Sequence, residues 1–270
     1  MNSNTGISIE GVRQAFDRAV ADYDQSAILH RQVADEITER LGFLNIAPQS
    51  ILEVGCGTGY LTRALSDQWP DAELIALDLA PGMAAATSGI AKAVCADAHQ
   101  TPLAGGTFDL VVSCMTIHWC DAERVFEEVD RLLSPGGTWL FSGVGPDTLA
   151  ELRYAWANVD DLPHVHGFTD MHHLGDSLLR HGFKDPMLDI DRIVMQYDSV
   201  TTLLEDLRNL GVVNQSMGRR RTLTSPGRFR AFVDAYESLR TPQGDLPATW
   251  EIIYGYARKQ SASVKVAFSA

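Results

Sequence analysis

Between residues 50 and 145, short apolar runs alternate with segments whose apolar positions recur at helical spacing. The runs Ile51–Val54, Glu73–Leu77, Lys92–Cys95, Phe108–Ser113 and Thr138–Ser142 predict strands. The stretches near Leu61–Gln68, Met83–Thr87 and Glu123–Leu133 predict helices between them. Strands that are apolar throughout and separated by helices pack as a parallel sheet buried on both faces. Ser134–Gly137 (SPGG) reads as a helix stop and a turn. Ahead of this block, residues 9–42 read as two helices. The first puts Val12, Phe16, Val20 and Tyr23 on one face, and the second follows a Ser26 cap. Behind the block, helices are expected over 146–159, with Pro146 near the first turn, and over 170–183, ended by Gly182. Residues 187–197 alternate like a strand, and 199–212 and 225–240 read as helices. Residues 250–259 close as a strand returning to the sheet as an antiparallel edge neighbour, and 261–270 read as a frayed tail.

This organisation predicts one α/β domain over residues 1–270. A helical cover spans 9–44, a Rossmann-like core spans 45–199 and 250–260, and a helical lid is inserted at 200–249. With 45% hydrophobic residues the chain can bury a large core. No window reaches the roughly 18 consecutive apolar residues of a membrane span, and the N-terminal stretch lacks the apolar centre of a signal peptide. Cys56, Cys95, Cys114 and Cys120 form no C-x-x-C pair and read as free thiols of a reducing cytoplasm. A formal net charge of −13 argues against a general nucleic-acid binder. His164, His166, His172 and His173 match no zinc spacing, so no metal is expected.

The candidate chemistry concentrates in residues 53–59, EVGCGTG. In an open α/β sheet the ligand sits beyond the carboxyl ends of the strands. Gly55 and Gly57 would let main chain approach a ligand where a Cβ would clash. Asp78, ending the second strand, is placed to accept hydrogen bonds from ribose hydroxyls; aspartate is also a good helix N-cap. The loop departs from the G-x-G-x-x-G pattern that receives a pyrophosphate. Glu53 stands two residues before the first glycine, and a carboxylate suits a cation better than a pyrophosphate. The balance moves from a dinucleotide toward S-adenosylmethionine, which carries a sulfonium and an amino group.

The combination of E-x-G-x-G-x-G, Asp78, the Asp97-Ala98 pair, FDLVVSCMTIHW and LLSPGGTWLFS resembles the class I S-adenosylmethionine-dependent methyltransferases over about residues 45–145. The resemblance implies a mostly parallel seven-stranded sheet and a role for each matching position. Gly55 and Gly57 would line the methionine moiety with Glu53 and Ser113 beside them. Asp78 would bind ribose, Asp97 and Ala98 the adenine edge, and Met83 the adenine face. The flanks VRQAFDRAVADYDQSAILHRQVADEI, GPDTLAELRYAWANVD and LLEDLRNLGVVN resemble the malonyl-acyl-carrier-protein O-methyltransferase family of biotin synthesis. That family methylates the free carboxylate of a malonyl thioester. A complex I assembly factor of the same fold, itself resembling an arginine hydroxylase, shares these flanks. ELRYAW and DLPATWEIIYGYARK do not separate the two, and the short N-terminus favours the methyltransferase.

A malonyl carboxylate is already ionised at neutral pH and needs no general base. The site should therefore supply alignment and shelter rather than a catalytic triad. Tyr23, His118 and Trp119 are the side chains expected near the methyl group: Tyr23 from the N-terminal cover, the other two just after the fourth strand. An acidic carrier protein, or coenzyme A, would present the substrate. Residues 200–240 hold seven arginines against four acids, a basic reversal in an acidic chain and a candidate landing surface. An ordinary solvated helix face gives the same composition. Arg153, Arg219, Arg220 or Arg221 would pair with the substrate carboxylate or the carrier.

Overall fold

A computed structural model describes residues 6–220 and 222–261. Five strands are parallel: β1 (Ser50–Val54), β2 (Glu73–Asp78), β3 (Lys92–Cys95), β4 (Phe108–Ser113) and β5 (Leu133–Val144). β6 (Lys184–Tyr197) and β7 (Leu246–Arg258) are long and antiparallel, and the seven make one sheet in the order β3-β2-β1-β4-β5-β7-β6. The order reverses at β1, whose neighbours are β2 and β4, which is where such a sheet opens a crevice for a ligand.

The helices are α1 (Ile9–Ala19), α2 (Tyr23–Ser26), α3 (Ile28–Phe43), α4 (Tyr60–Gln68), α5 (Pro81–Ala86), α6 (Ala122–Leu132), α7 (Ala150–Ala157), α8 (Met171–Arg180), α9 (Val200–Asn209) and α10 (Pro226–Glu237). Alternation along the strands divides the core between two faces. Leu110, Val112 and Leu140 join the apolar side chains of α3, α7, α9 and α10. Val111, Trp139 and Phe141 join those of α6 and α8 on the opposite face. Burial on both sides is why these strands read as continuous apolar runs.

Several expected boundaries move. The N-terminal cover is not two helices: α1 ends at Ala19, and Tyr23 opens the separate short α2. Tyr23 therefore does not share a helix face with Phe16. Ser26 ends α2 and caps nothing; the residue before α3 is Ala27. Ser134–Gly137 is not a free turn. Leu133 already pairs with Phe108, and the register shifts before Leu110 meets Thr138, so the segment bulges inside β5. Pro146 lies ahead of α7, whose N-cap is Leu149 in the left-handed region (φ 56°). β7 is not the edge strand: β6 takes the edge, and β7 fills the gap between it and β5. β7 also starts at Leu246, inside the span expected for the lid. The expected frayed tail, but for Ser261, lies outside the described residues.

The segment after α9 positions the cover. Gln215 O accepts from Ser8 N at 3.0 Å, and Gly6 O accepts from Met217 N at 2.7 Å. Ser8 caps α1 by accepting from Gly11 N at 3.1 Å. A loop from the C-terminal half thus fixes the start of the helix that covers the N-terminal half.

Candidate active site

At the β1 carboxyl end the chain turns through Gly55 (φ +77°), Gly57 (φ +51°) and Gly59 (φ +88°) into α4. All three lie in the left-handed region, where a side chain is strained. Gly55 has a second constraint: a Cβ there would meet Thr116 Oγ1 at 2.0 Å. The turn from β1 and the turn from β4 therefore pack backbone to side chain across the crevice.

Asp78 organises this loop. Its Oδ2 accepts from Gly57 N at 3.0 Å and its Oδ1 from Ala80 N at 2.8 Å. It is not the cap of α5, whose N-cap is Ala80. An ionised carboxylate has about four acceptor positions, so the two bonds leave capacity facing the crevice. Burial pushes its pKa up, opposed by the backbone donors. Glu53 lies behind the loop, 1% exposed, accepting from Thr62 Oγ1 at 2.6 Å. Burial raises its pKa to about 8, the Thr62 bond lowers it, and the Asp78 charge adds to the rise.

The crevice has two lobes joined at Tyr23, Gly55, Gly57 and Cys114. The larger is walled by Phe16, Leu79, Met83, Ala98 and Trp119, with Asp78 and Asp97 as its carboxylates. The smaller holds Glu53, Asp24, His30 and Arg31. At about 80 and 50 Å³ the lobes are narrow beside the ~300 Å³ lower bound of common ligand pockets.

Met83 is buried against Ala19 and Ala80 beside Phe16 and Tyr23. Asp97 Oδ1 accepts from His99 N at 2.9 Å and lies 2.5 Å from His99 Nδ1. His99 Nε2 accepts from Asp121 N at 2.8 Å, so the proton sits on Nδ1 and points at Asp97. The His99 hydrogen bond is the main reason Asp97 is held below the usual carboxylate range. Tyr23 lies edge-on to His30, ring centroids 5.6 Å apart, and burial raises its phenol pKa. Trp119 meets Phe16 edge-on at 5.5 Å and His166 at 5.2 Å. Burial also raises the thiol pKa of Cys114 and Cys120, each to about 12, so both stay protonated.

Several expected site residues lie apart from the two lobes. Ser113 is buried but lines neither lobe; its neighbours Cys114, Met115 and Thr116 do. Strand alternation puts it on the Val111 face of β4, the face covered by α6 and α8. His118 and Trp119 diverge on the 3₁₀ turn Ile117–Trp119: Trp119 faces the larger lobe, and His118 lines a separate groove beside Phe168. Arg153, Arg219 and Arg220 line neither lobe. Arg153 donates to Pro146 O, and Arg220 pairs with Asp160 at 2.8 Å. Arg219 donates to Ser216 O at 3.1 Å and has no carboxylate partner among the described residues. Arg221 lies outside the described residues. Among the described residues no group of three or more His, Cys, Asp or Glu side chains could hold a metal ion.

Sequence reasoning missed Thr116, His99 and His166. His166 accepts from Gln215 N on Nε2 at 3.2 Å, which leaves Nδ1–H to donate to Ser216 Oγ at 2.9 Å. It braces Trp119 against the segment that holds α1. No local signal marks it, because its partners are about fifty residues away.

The sheet order and the glycine crevice define a methyltransferase fold of class I. A family described as "Methyltransferase domain" matches residues 52–141. The YcgJ protein of Bacillus subtilis has this fold, with a TM-score of 0.59 at 14% identity over 84% of this chain and 100% of its own. Phosphoethanolamine N-methyltransferase 2 of Haemonchus contortus has it too, with a TM-score of 0.55 at 17% identity over 91% of this chain and 58% of its own. The malonyl-[acyl-carrier protein] O-methyltransferase of Methylovorus sp. (strain MP688) is 42% identical, over 94% of this chain and 90% of its own. That of Laribacter hongkongensis is 41% identical, over 93% and 89%. The chain belongs to the malonyl-[acyl-carrier protein] O-methyltransferase family.

Proposed function

We propose that the protein transfers a methyl group from S-adenosylmethionine to the free carboxylate of malonyl-acyl carrier protein, an early step of biotin synthesis. The kinship carries this reading, because it covers the cover and the C-terminal half as well as the nucleoside-binding core. The crevice fits the cofactor chemically. Asp78 keeps open acceptor positions for sugar hydroxyls, Met83, Leu79 and Ala98 offer apolar surface to a base, and Asp97 lies at the same lobe. Gly55 and Gly57 leave room for the methionine portion, and the buried Glu53, largely protonated at neutral pH in the empty crevice, would gain charge by releasing its proton beside the cofactor's ammonium.

Bound there, S-adenosylmethionine supplies an electrophilic methyl group. The acceptor carboxylate is ionised at neutral pH, so the protein has no proton to remove. A carboxylate oxygen would take the methyl group as the S–CH3 bond breaks, leaving a neutral ester and a neutral thioether, so strong solvation of either starting ion would slow the step. Trp119, Phe16 and Met115 exclude water from the larger lobe. Tyr23, whose phenol keeps its proton, can donate a hydrogen bond that aligns the acceptor. His118 is neutral, its pKa lowered to about 3 by burial, and orients without titrating. Of the candidate arginines, Arg219 is the most available to an acidic carrier or its carboxylate. Arg208, Arg228 and Arg230 are exposed and have no ion-pair partner among the described residues, so they too are open to an acidic carrier. A cytoplasmic setting fits the four unpaired cysteines, and no helix among the described residues is long and apolar enough to cross a membrane.

Methyl-labelled S-adenosylmethionine offered with malonyl-acyl carrier protein, malonyl-coenzyme A or free malonate tests the reading. Label is expected on the carrier first, on coenzyme A less and on malonate least. No label on any malonyl thioester would overturn it.

A further inference from the structure

On the far side of the Ile117–Trp119 turn from the nucleoside crevice lies a groove of about 330 Å³. Its inner end is His118, Phe168 and the β5 end at Gly143 and Val144; its outer end reaches Gly167 and Arg180. Cys120 lines both this groove and the larger lobe, so one turn of chain separates the two spaces. The rings of His118 and Trp119, one on each side, have centroids 5.4 Å apart. A group lying along the groove therefore ends beside the space assigned to the methyl donor.

The polar character of the groove limits its occupant. His118 Nδ1 is buried and has no hydrogen-bond partner among the described residues. A neutral imidazole offers one donor and one acceptor, and a buried polar atom without a partner is unfavourable unless a ligand supplies one. At the rim the Arg180 guanidinium pairs with Glu123, and Asp121 lies nearby. The mouth thus has no surplus positive charge for a polyanion. A linear chain of neutral amides, partly apolar and rich in hydrogen-bonding groups, fits both ends.

We infer that this groove seats the pantetheine arm bearing the malonyl thioester, with His118 hydrogen-bonded to an arm amide or the thioester carbonyl at its inner end. The inference rests on the proposed function and assigns the acceptor's path within it. Carrier protein and coenzyme A both present this arm, so the groove serves either source, and the arginine surface separates them.

The test compares acceptors with and without the arm. Gly167 is exposed, is not in the left-handed region, and has no atom within 4 Å of a Cβ built on it. Gly167→Phe therefore narrows the groove mouth without a clash at Cβ. For wild type, Gly167→Phe and His118→Phe, kcat/KM is measured for malonyl-acyl carrier protein, malonyl-coenzyme A and S-malonyl-N-acetylcysteamine. The preference for the full arm over the short analogue is expected to collapse at least tenfold in both variants. Free pantetheine is expected to inhibit wild type competitively against the malonyl carrier and not against S-adenosylmethionine. An unchanged preference in both variants, or no competition by pantetheine in a wild type that methylates the carrier, overturns the groove assignment and leaves the proposed function standing. A wild type that methylates no malonyl thioester removes the proposed function and this inference together.

Discussion

The two halves of the sheet solve different problems. In the β1–β4 half, the crevice-lining groups come from strand ends and the turns that follow them: Glu53 near the end of β1 and the glycines after it, Asp78 ending β2, Asp97 after β3, Thr116 after β4. Each position is set by a few neighbouring residues. In the β5–β7–β6 half and its cover, the working surface is assembled at long range. Ser8, His166 and Gln215 meet through hydrogen bonds between distant segments. A nucleoside is held by a backbone shape that a short motif encodes. An acceptor is met by a surface that only the completed fold brings together.

The largest effect should come from breaking the local half. Asp78→Ala removes the acceptor of Gly57 N as well as the proposed sugar ligand. Hydrogen bonds to a charged group contribute about 1.5–3 kcal/mol each, so S-adenosylhomocysteine affinity measured by calorimetry should fall on the order of 100-fold. Affinity within threefold of wild type would mean that the loop binds without this carboxylate.

The long-range half should fail differently. His166→Phe keeps an aromatic ring against Trp119 but loses both hydrogen bonds to Gln215 and Ser216. A roughly tenfold loss of kcat/KM for the malonyl carrier is expected, with S-adenosylhomocysteine affinity changed much less. Equal losses in both quantities would erase the distinction between the halves.

A smaller effect, a few-fold rise in KM for the carrier at low salt, is expected from Arg228→Glu with Arg230→Glu. It should fade at high salt and be absent for S-malonyl-N-acetylcysteamine. A loss that persists at high salt would point to a folding defect instead.

Proton linkage bears on stability rather than on turnover. Burial holds His30 and His166 near pKa 4 and His118 near 3. All three are neutral in the fold and take up protons on unfolding below about 6.5. Their contribution to stability is full above that pH and is lost as pH falls toward 4 and 3, which thermal melts across pH 7 to 4 would show. Glu53 has the opposite sign. Its pKa of about 8 lies above the unfolded value, so its contribution is present at pH 4 and lost as pH rises through 8. Glu53→Gln should gain relative stability at pH 9. Wild type should release up to one proton on binding the cationic cofactor near pH 7, readable by calorimetry in buffers of different ionisation enthalpy.

The same division explains what could be read from the chain. β3 and β4 were legible to the residue: β4 because a strand buried on both faces must be apolar throughout, and β3, a largely exposed edge strand, because its four residues stand between the α5 segment and Asp97 in a strict strand–helix alternation. Asp78 and the glycine loop were legible because a positive φ and a strand-end carboxylate leave a local pattern. The outward turn of His118, the break at Val20–Asp22 and the burial of Ser113 were not. Each depends on which neighbour fills the space, and helical spacing from Phe16 to Tyr23 conceals a change of helix. The interior place of β7 was illegible for the same reason: apolar pattern shows burial but not which strand lies on either side.

Intact-mass analysis of malonyl-acyl carrier protein after incubation with the protein and S-adenosylmethionine bears most directly on the account. The expected result is a carrier heavier by one methylene group, with no gain when S-adenosylmethionine is left out and a strongly reduced gain with Asp78→Ala. An unchanged carrier, or an added oxygen on a protein arginine in its place, would contradict it.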